Sequence, residues 1–178
     1  EITTVVQIAP AVRAAFAESL GLDRDALTTG QLVAALKRIG FDYVFDTNFA
    51  ADLTVMEESA EFAERLSKGE NLPLFTSCCP GWVKYCENKY PEFAENLSTC
   101  RSPQGMFSAV LKEYYKERDE KEGKKTVIVS IMPCTAKNDE QVLPEFIYED
   151  GSRDTDGVIT TQEFASILKQ AGIVFEDV

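Results

Sequence analysis

The stretch KKTVIVSIMPC, residues 124–134, decides the fold. From Thr126 to Ile131 it is apolar or β-branched but for Ser130, and carries no charge. A run that short, closed by Pro133, reads as a strand buried on both faces rather than as a helix. Such a strand must sit near the centre of a mostly parallel sheet, so its neighbours have to come from other strand-and-helix units. Upstream, ITTVVQIAP (2–10) is a β-branched run that stops at a proline able to open the helix AVRAAFAESLG.

The remaining segments alternate in the same way. TTGQLVAALKRIG (28–40) reads as a helix, with Thr28 or Thr29 as N-cap, Leu32, Val33, Leu36 and Ile39 on one face, and Gly40 at its C-terminal end. FDYVFDT (41–47) reads as a strand. FAADLTVMEESAEFAERLSKG (49–69) is a long helix expected to turn Met56, Phe62 and Leu66 to the core, and LPLFTSC (72–78) is expected to be another strand. Helices follow from Pro80 to about Tyr90 and through SPQGMFSAVLKEYYKERDEK (102–121), where Met106, Val110 and Leu111 keep a helical spacing. Past Cys134 come TAKNDEQVLPEF, the loop YEDGSRDTDG, a short strand GVIT, the helix TTQEFASILKQAG and a trailing IVFEDV. The pattern predicts one α/β domain over residues 1–178, a mostly parallel sheet with helices on both faces. Ligands of such sheets gather beyond the carboxyl ends of the strands. Ala9 and Pro10, Cys78 and Cys79, and Cys134 are all expected there.

Composition narrows the chemistry. A net charge of −12, from 30 acidic and 18 basic residues, argues against a nucleic-acid or anionic-membrane surface. No apolar run approaches the roughly 20 residues that span a bilayer, and no signal-peptide pattern opens the sequence, so a cytoplasmic chain is expected. Five cysteines in 178 residues do not suggest a secreted disulfide framework. Histidine is absent, which removes Cys-His dyads, Ser-His-Asp triads and imidazole zinc sites. Any acid–base work falls to carboxylates, thiols or lysines.

TSCCPGW, residues 76–82, places two thiols side by side. A disulfide between neighbours strains the peptide that joins them, and successive side chains leave the backbone in different directions. Two separate roles are therefore expected for Cys78 and Cys79, one of which can join Cys134 as a soft ligand. Without imidazole, soft ligation favours an iron-sulfur cluster or zinc. The plain alternative is that the thiols are small buried hydrophobes.

TSCCPGW and MPCTAK (132–137) resemble the first two signatures of the iron-only, or FeFe, hydrogenase catalytic domain, in the family's order and approximate separation. QIAPAVR (7–13), FAADLTVMEE (49–58), RSPQGMF (101–107) and DGVITT (156–161) resemble its connecting sequence, so the likeness covers essentially the whole chain. It implies one lobe of a two-lobed domain that interconverts protons, electrons and dihydrogen at an H-cluster. That cofactor is a four-iron four-sulfur cubane joined through cysteine to a di-iron unit with carbonyl, cyanide and dithiolate amine ligands.

The resemblance assigns Cys79 and Cys134 to the cubane, and Cys78 to proton exchange with the bridgehead amine. A thiol with a reference pKa near 8.5 can exchange a proton where a serine hydroxyl cannot. Glu58, Glu61 and Arg65 share one helix face, which by itself reads as a solvated surface with an ordinary i, i+4 ion pair. The resemblance makes Glu58, Glu61, Ser98 and Glu140 a proton path, with Arg65 tuning the acids. Lys137, otherwise a surface lysine, becomes the cation that grips a cyanide. Ala9, Pro10, Ala11, Ser102, Pro103, Gln104 and Met132 are implied to line the cofactor cavity, and the Ala11 amide to donate to the other cyanide. Trp82 is read as packing, and Cys86 and Cys100 as core or incidental thiols.

The family's third signature, a glycine-rich segment bearing the other two cubane ligands, is not among these residues. The resemblance therefore implies that the remainder of the catalytic domain, in the same or a separate chain, completes the cluster, and that these residues alone do not retain it. A ferredoxin or other electron-transfer subunit is the implied partner, with no nucleic acid and no membrane. Three other readings compete: a non-catalytic iron-sulfur protein of the cytosolic assembly type, a hydrogen sensor, and a thiol-redox enzyme. The paired cysteines with Lys137 and Glu140 weigh against the first. The complete set of relay candidates weighs against the second, and the lack of a Cys-x-x-Cys geometry against the third.

Overall fold

The computed structural model describes residues 1–175. Four parallel strands, β1 (Ile2–Ile8), β2 (Tyr43–Asp46), β3 (Lys125–Met132) and β4 (Gly157–Thr160), form one sheet in the order β2-β1-β3-β4. The uncharged run at 126–131 lies in a central strand, as its composition requires. It pairs with β1 along its length, from Ile2 opposite Lys125 to Ile8 opposite Ile131.

Strand alternation gives the two faces of the sheet different characters. On one, Val6, Ile8 and Ile131 join a core with Phe16, Leu32, Leu36, Phe164 and Leu168. Those side chains come from α1 (Pro10–Ser19), α2 (Thr29–Arg38) and α7 (Thr161–Gln170). Pro10 opens α1, and capping boxes at Thr28–Gln31 and Thr160–Glu163 start α2 and α7. Burying each of the large apolar side chains contributes about 1.5–3 kcal/mol.

The opposite face is partly polar. Gln7 and Ser130, both fully buried, stand opposite each other in register, and Gln7 Nε2 donates across 2.9 Å to Ser130 Oγ. They face α5 (Pro103–Glu122), whose Gln104, Phe107 and Ser108 are its buried residues. Helix α3 (Asn48–Lys68) packs on α5. Two shorter layers, α4 (Pro80–Lys89) and α6 (Ala136–Glu140), meet each other at the carboxyl end of the sheet.

Two expectations are corrected. Residues 72–78 do not form a strand: one parallel bridge, Phe75 to Leu97, is all the pairing they make. Phe75 is spent on edge-on contacts with Trp82 and Phe93, at 6.0 and 5.9 Å, rather than on a sheet neighbour. Helix α3 does not turn Met56, Phe62 and Leu66 inward; they are 68%, 47% and 59% exposed. The helix expected from the spacing of Met106, Val110 and Leu111 is present as α5; Val110 is exposed there, and Met106 and Leu111 are half-buried. In the trailing IVFEDV, Ile173 and Phe175 pack on the core; residues 176–178 lie outside the described residues. Among the described residues no helix is long and apolar enough to cross a membrane.

Candidate active site

Cys79 is the N-cap of α4, and its Sγ accepts the Trp82 amide at 3.4 Å. Cys134 follows β3 and precedes α6. A Cβ built on Gly81 would stand 3.8 Å from Cys79 Sγ and 3.9 Å from Ala136 Cβ, so the two cysteine segments close on either side of this glycine. Neither thiol is buried and neither is in a disulfide. Although 72–78 is not a strand, its loop still delivers Cys78 and Cys79 to the carboxyl end of the sheet.

The exposed Cys78 is fixed through its backbone. Lys137 Nζ donates to the Cys78 carbonyl at 2.8 Å and to Glu140 Oε2 at 2.8 Å. The lysine side chain is only 12% exposed, so it is not the free surface cation that composition suggests. Gln104 Nε2 reaches the same Glu140 oxygen at 3.3 Å, and Gln104 Oε1 is buried without a partner.

Glu61 sits in a cage of donors. Ser98 Oγ donates to Oε2 at 2.7 Å, Arg65 Nη2 to Oε1 at 2.6 Å, and the Thr99 amide and hydroxyl to Oε1 at 3.1 Å each. Burial pushes the Glu61 carboxyl up, but the hydrogen bonds from Ser98, Thr99 and Arg65 outweigh it and hold the group below the usual range. Arg65 also donates to the carbonyls of Asn71, Glu95 and Leu97, tying three positions beyond α3 back to it. The Glu61–Arg65 pair is thus a built junction and not a solvated i, i+4 contact. Burial pushes the Cys100 thiol up, with the negative charges of Glu61 and Glu58 adding to the effect against an opposing hydrogen bond from Ser98. Cys100 Sγ lies 3.7 Å from Glu61 Oε2.

The structure brings together Glu61, Arg65 and Ser98, and separately Lys137, Glu140, Gln104 and the Cys78 backbone. Glu58 stands apart, with Oε1 buried and unpartnered. No hydrogen bond among the described residues links Glu140 to Ser98 or Glu61. A cavity of about 320 Å³ lies between them, with Ser98, Cys100 and Glu140 in its wall. The other expected lining residues are at helix starts: Ala9 is the N-cap of α1, before Pro10 and Ala11, and Ser102 is the N-cap of α5, before Pro103 and Gln104. Buried Met132 ends β3. Buried Cys86 is a core thiol as expected. Thr99 and Cys100 were not singled out as site residues; their one signal is adjacency to Ser98.

Residues 2–178 match the model of a family described as iron only hydrogenase large subunit, C-terminal domain. The chain belongs to this family. It is 50% identical over 177 residues to the NADP-reducing hydrogenase subunit HndD of Solidesulfovibrio fructosivorans, an alignment of 96% of this chain and 30% of that protein. It is also 34% identical over 175 residues to the cytosolic iron-sulfur assembly component 3 of Rattus norvegicus, covering 95% of this chain and 37% of the relative. A solved FeFe-hydrogenase, studied for oxygen inactivation begun at its H cluster 2Fe subcluster, superposes with a TM-score of 0.88 at 45% identity. That match covers 98% of this chain and 44% of the other. The chain thus spans under half the length of these relatives. The iron-only hydrogenase family and its parallel α/β architecture agree with the expectations from the sequence.

Proposed function

We propose that this chain forms one side of an H-cluster site for the reversible conversion of two protons and two electrons to dihydrogen. The observation that carries the reading is the meeting, at Gly81 and Ala136, of the two segments that carry the free thiols Cys79 and Cys134, beside a lysine held by Glu140. The donor set fits the group: two soft thiols for the cubane, and an orphaned Gln104 acceptor with a lysine ammonium for its polar surroundings. No cluster of three or more metal-ligating side chains occurs among the described residues. The remaining ligands are therefore assigned to the rest of the catalytic domain, and electron delivery to a ferredoxin-like partner.

Once bound, the cluster would supply the metal centre and pass on the electrons that the partner delivers. The chain's own residues handle the protons and the fit. Cys78 exchanges a proton at its Sγ, because a thiol gives one up far more readily than a hydroxyl. Glu61, held ionised by its cage, takes a proton through the 2.7 Å contact with Ser98, and Arg65 keeps that carboxylate charged between transfers. Glu58, with its Oε1 buried, supplies a second acid to the path. Lys137 and the first-turn amides of α1, Ala11's included, offer donors to anionic ligands of the cluster.

Infrared spectroscopy of the anaerobically matured full-length protein tests this. Carbonyl and cyanide bands are expected. A protein that takes up a cubane alone under the same conditions would instead match a non-catalytic role like that of the assembly component, and the hydrogenase reading would fall.

A further inference from the structure

We propose that Glu140 is a positioning residue that fixes the Lys137 ammonium across the Cys78 carbonyl and stands outside the proton path. The inference rests on the hydrogenase reading only in taking Lys137 to face the cofactor.

Glu140 is 6% exposed, and the polar groups bonded to its Oε2 are both donors: Lys137 Nζ at 2.8 Å and Gln104 Nε2 at 3.3 Å. Gln104 also bonds back to the Lys137 carbonyl at 3.5 Å, so one amide braces both members of the ion pair. This bracing is needed. Helix α6 has only five residues, too few to be stable alone, and a lysine's four-carbon stem is flexible. Two of the three ammonium donors are used, by Glu140 and by the Cys78 carbonyl, which leaves one aimed by the other two. The ammonium in this way couples the two cysteine segments, since Cys78 precedes one thiol ligand and Lys137 follows the other.

The relay groups are closed to Glu140. Ser98 Oγ donates to Glu61 and accepts the Cys100 amide at 3.1 Å, while Thr99 donates to Glu61. None of these contacts turns toward α6. Across the cavity, Glu140 faces the relay without touching it.

The test uses the full-length protein carrying Glu140→Gln or Glu140→Ala. Without cofactor, lysines are reductively methylated with formaldehyde and dimethylamine-borane and read by mass spectrometry. Lys121, 70% exposed on α5, serves as the fast reference, and Lys112, ion-paired to Asp156, as the check that the fold persists. Relative to Lys121, Lys137 is expected to label about tenfold faster in both variants, as a side chain released from a buried pair does, with Lys112 unmoved. Should Glu140→Ala unfold, the nearly isosteric Glu140→Gln decides. Unchanged Lys137 labelling in the folded variant overturns the proposal. In the matured protein, Glu140→Gln is expected to shift the cyanide stretching bands while the pH profile of turnover keeps its wild-type shape. Unmoved bands, with turnover lost as in Glu61→Gln, would make Glu140 a relay group and also overturn it. Absence of cyanide bands from the matured wild-type protein would count against the hydrogenase reading alone, leaving the labelling result to decide the role of Glu140.

Discussion

Glu61 shows how much chemistry one side chain can concentrate. In the unfolded chain its carboxyl titrates near the ordinary value of 4.5, and in the folded chain it titrates lower. Its interactions therefore add stability above the ordinary value, and that contribution is lost as pH falls through the lower folded one. Glu61→Gln should flatten this acid limb. At neutral pH the variant loses on the order of 1–3 kcal/mol, because an amide nitrogen must face donors from Ser98, Thr99 or Arg65. Urea unfolding of both proteins between about pH 7 and pH 3 checks this, with the gap expected to narrow toward the acid end. For Cys78 the expected change is functional. Cys78→Ser in the matured full-length protein should keep its iron content and lose turnover by at least about a hundredfold, the usual cost of removing a positioned acid or base. Iron analysis and hydrogen evolution on the same sample separate the two effects.

Helix α3 is inside out. Ala50 and Thr54 are buried with Glu61 and Arg65 turned inward behind them, and Val55, Met56, Phe62 and Leu66 face away. Periodicity fixed the helix and the common face of Glu58, Glu61 and Arg65, but spacing alone cannot say which face meets the rest of the protein. The usual assumption that apolar residues turn inward fails here because the partner is the polar side of α5 and the Ser98 loop. In the described chain, Phe62→Ser should change the melting temperature little, within about 0.5 kcal/mol, whereas Ala50→Leu should cost about 1–3 kcal/mol by overpacking. Calorimetry of the two variants distinguishes them. The same limit explains residues 72–78: an apolar run bounded by breaks looks alike whether it joins a sheet or packs aromatic rings against a helix. By contrast, β1, β2, β3 and β4 were legible because β-branched runs, caps and breaks agreed there. Ser98 was legible through its resemblance to the family, yet Thr99 and Cys100 were not, since their part in the Glu61 cage depends on a loop returning to α3 over more than 30 residues.

Across the whole molecule, Gln7 is the polar centre. Its Nε2 lies within 3.1 Å of the Gln104 carbonyl and Ser108 Oγ as well as 2.9 Å from Ser130 Oγ, and its Oε1 accepts the Thr47 hydroxyl at 3.1 Å. It therefore joins both central strands to the starts of α3 and α5, the helices that carry the acids and the Ser102–Gln104 turn. Gln7→Leu should cost on the order of 3 kcal/mol, because several buried groups lose their partner together. A lowered urea midpoint with an unchanged m-value would show that the loss lies in the folded state. The sheet order has a consequence for how the molecule is made. Ile2 pairs with Lys125, so the central ladder closes only after most of the chain exists, while β2 can reach β1 much earlier, at Val5 opposite Tyr43. At about 5–20 residues per second of synthesis, β1 waits roughly 6–25 s for its second neighbour. A two-stranded ribbon whose β1 edge still waits for β3 is the part of the nascent chain most open to misassociation, and chaperones present during synthesis should raise its yield.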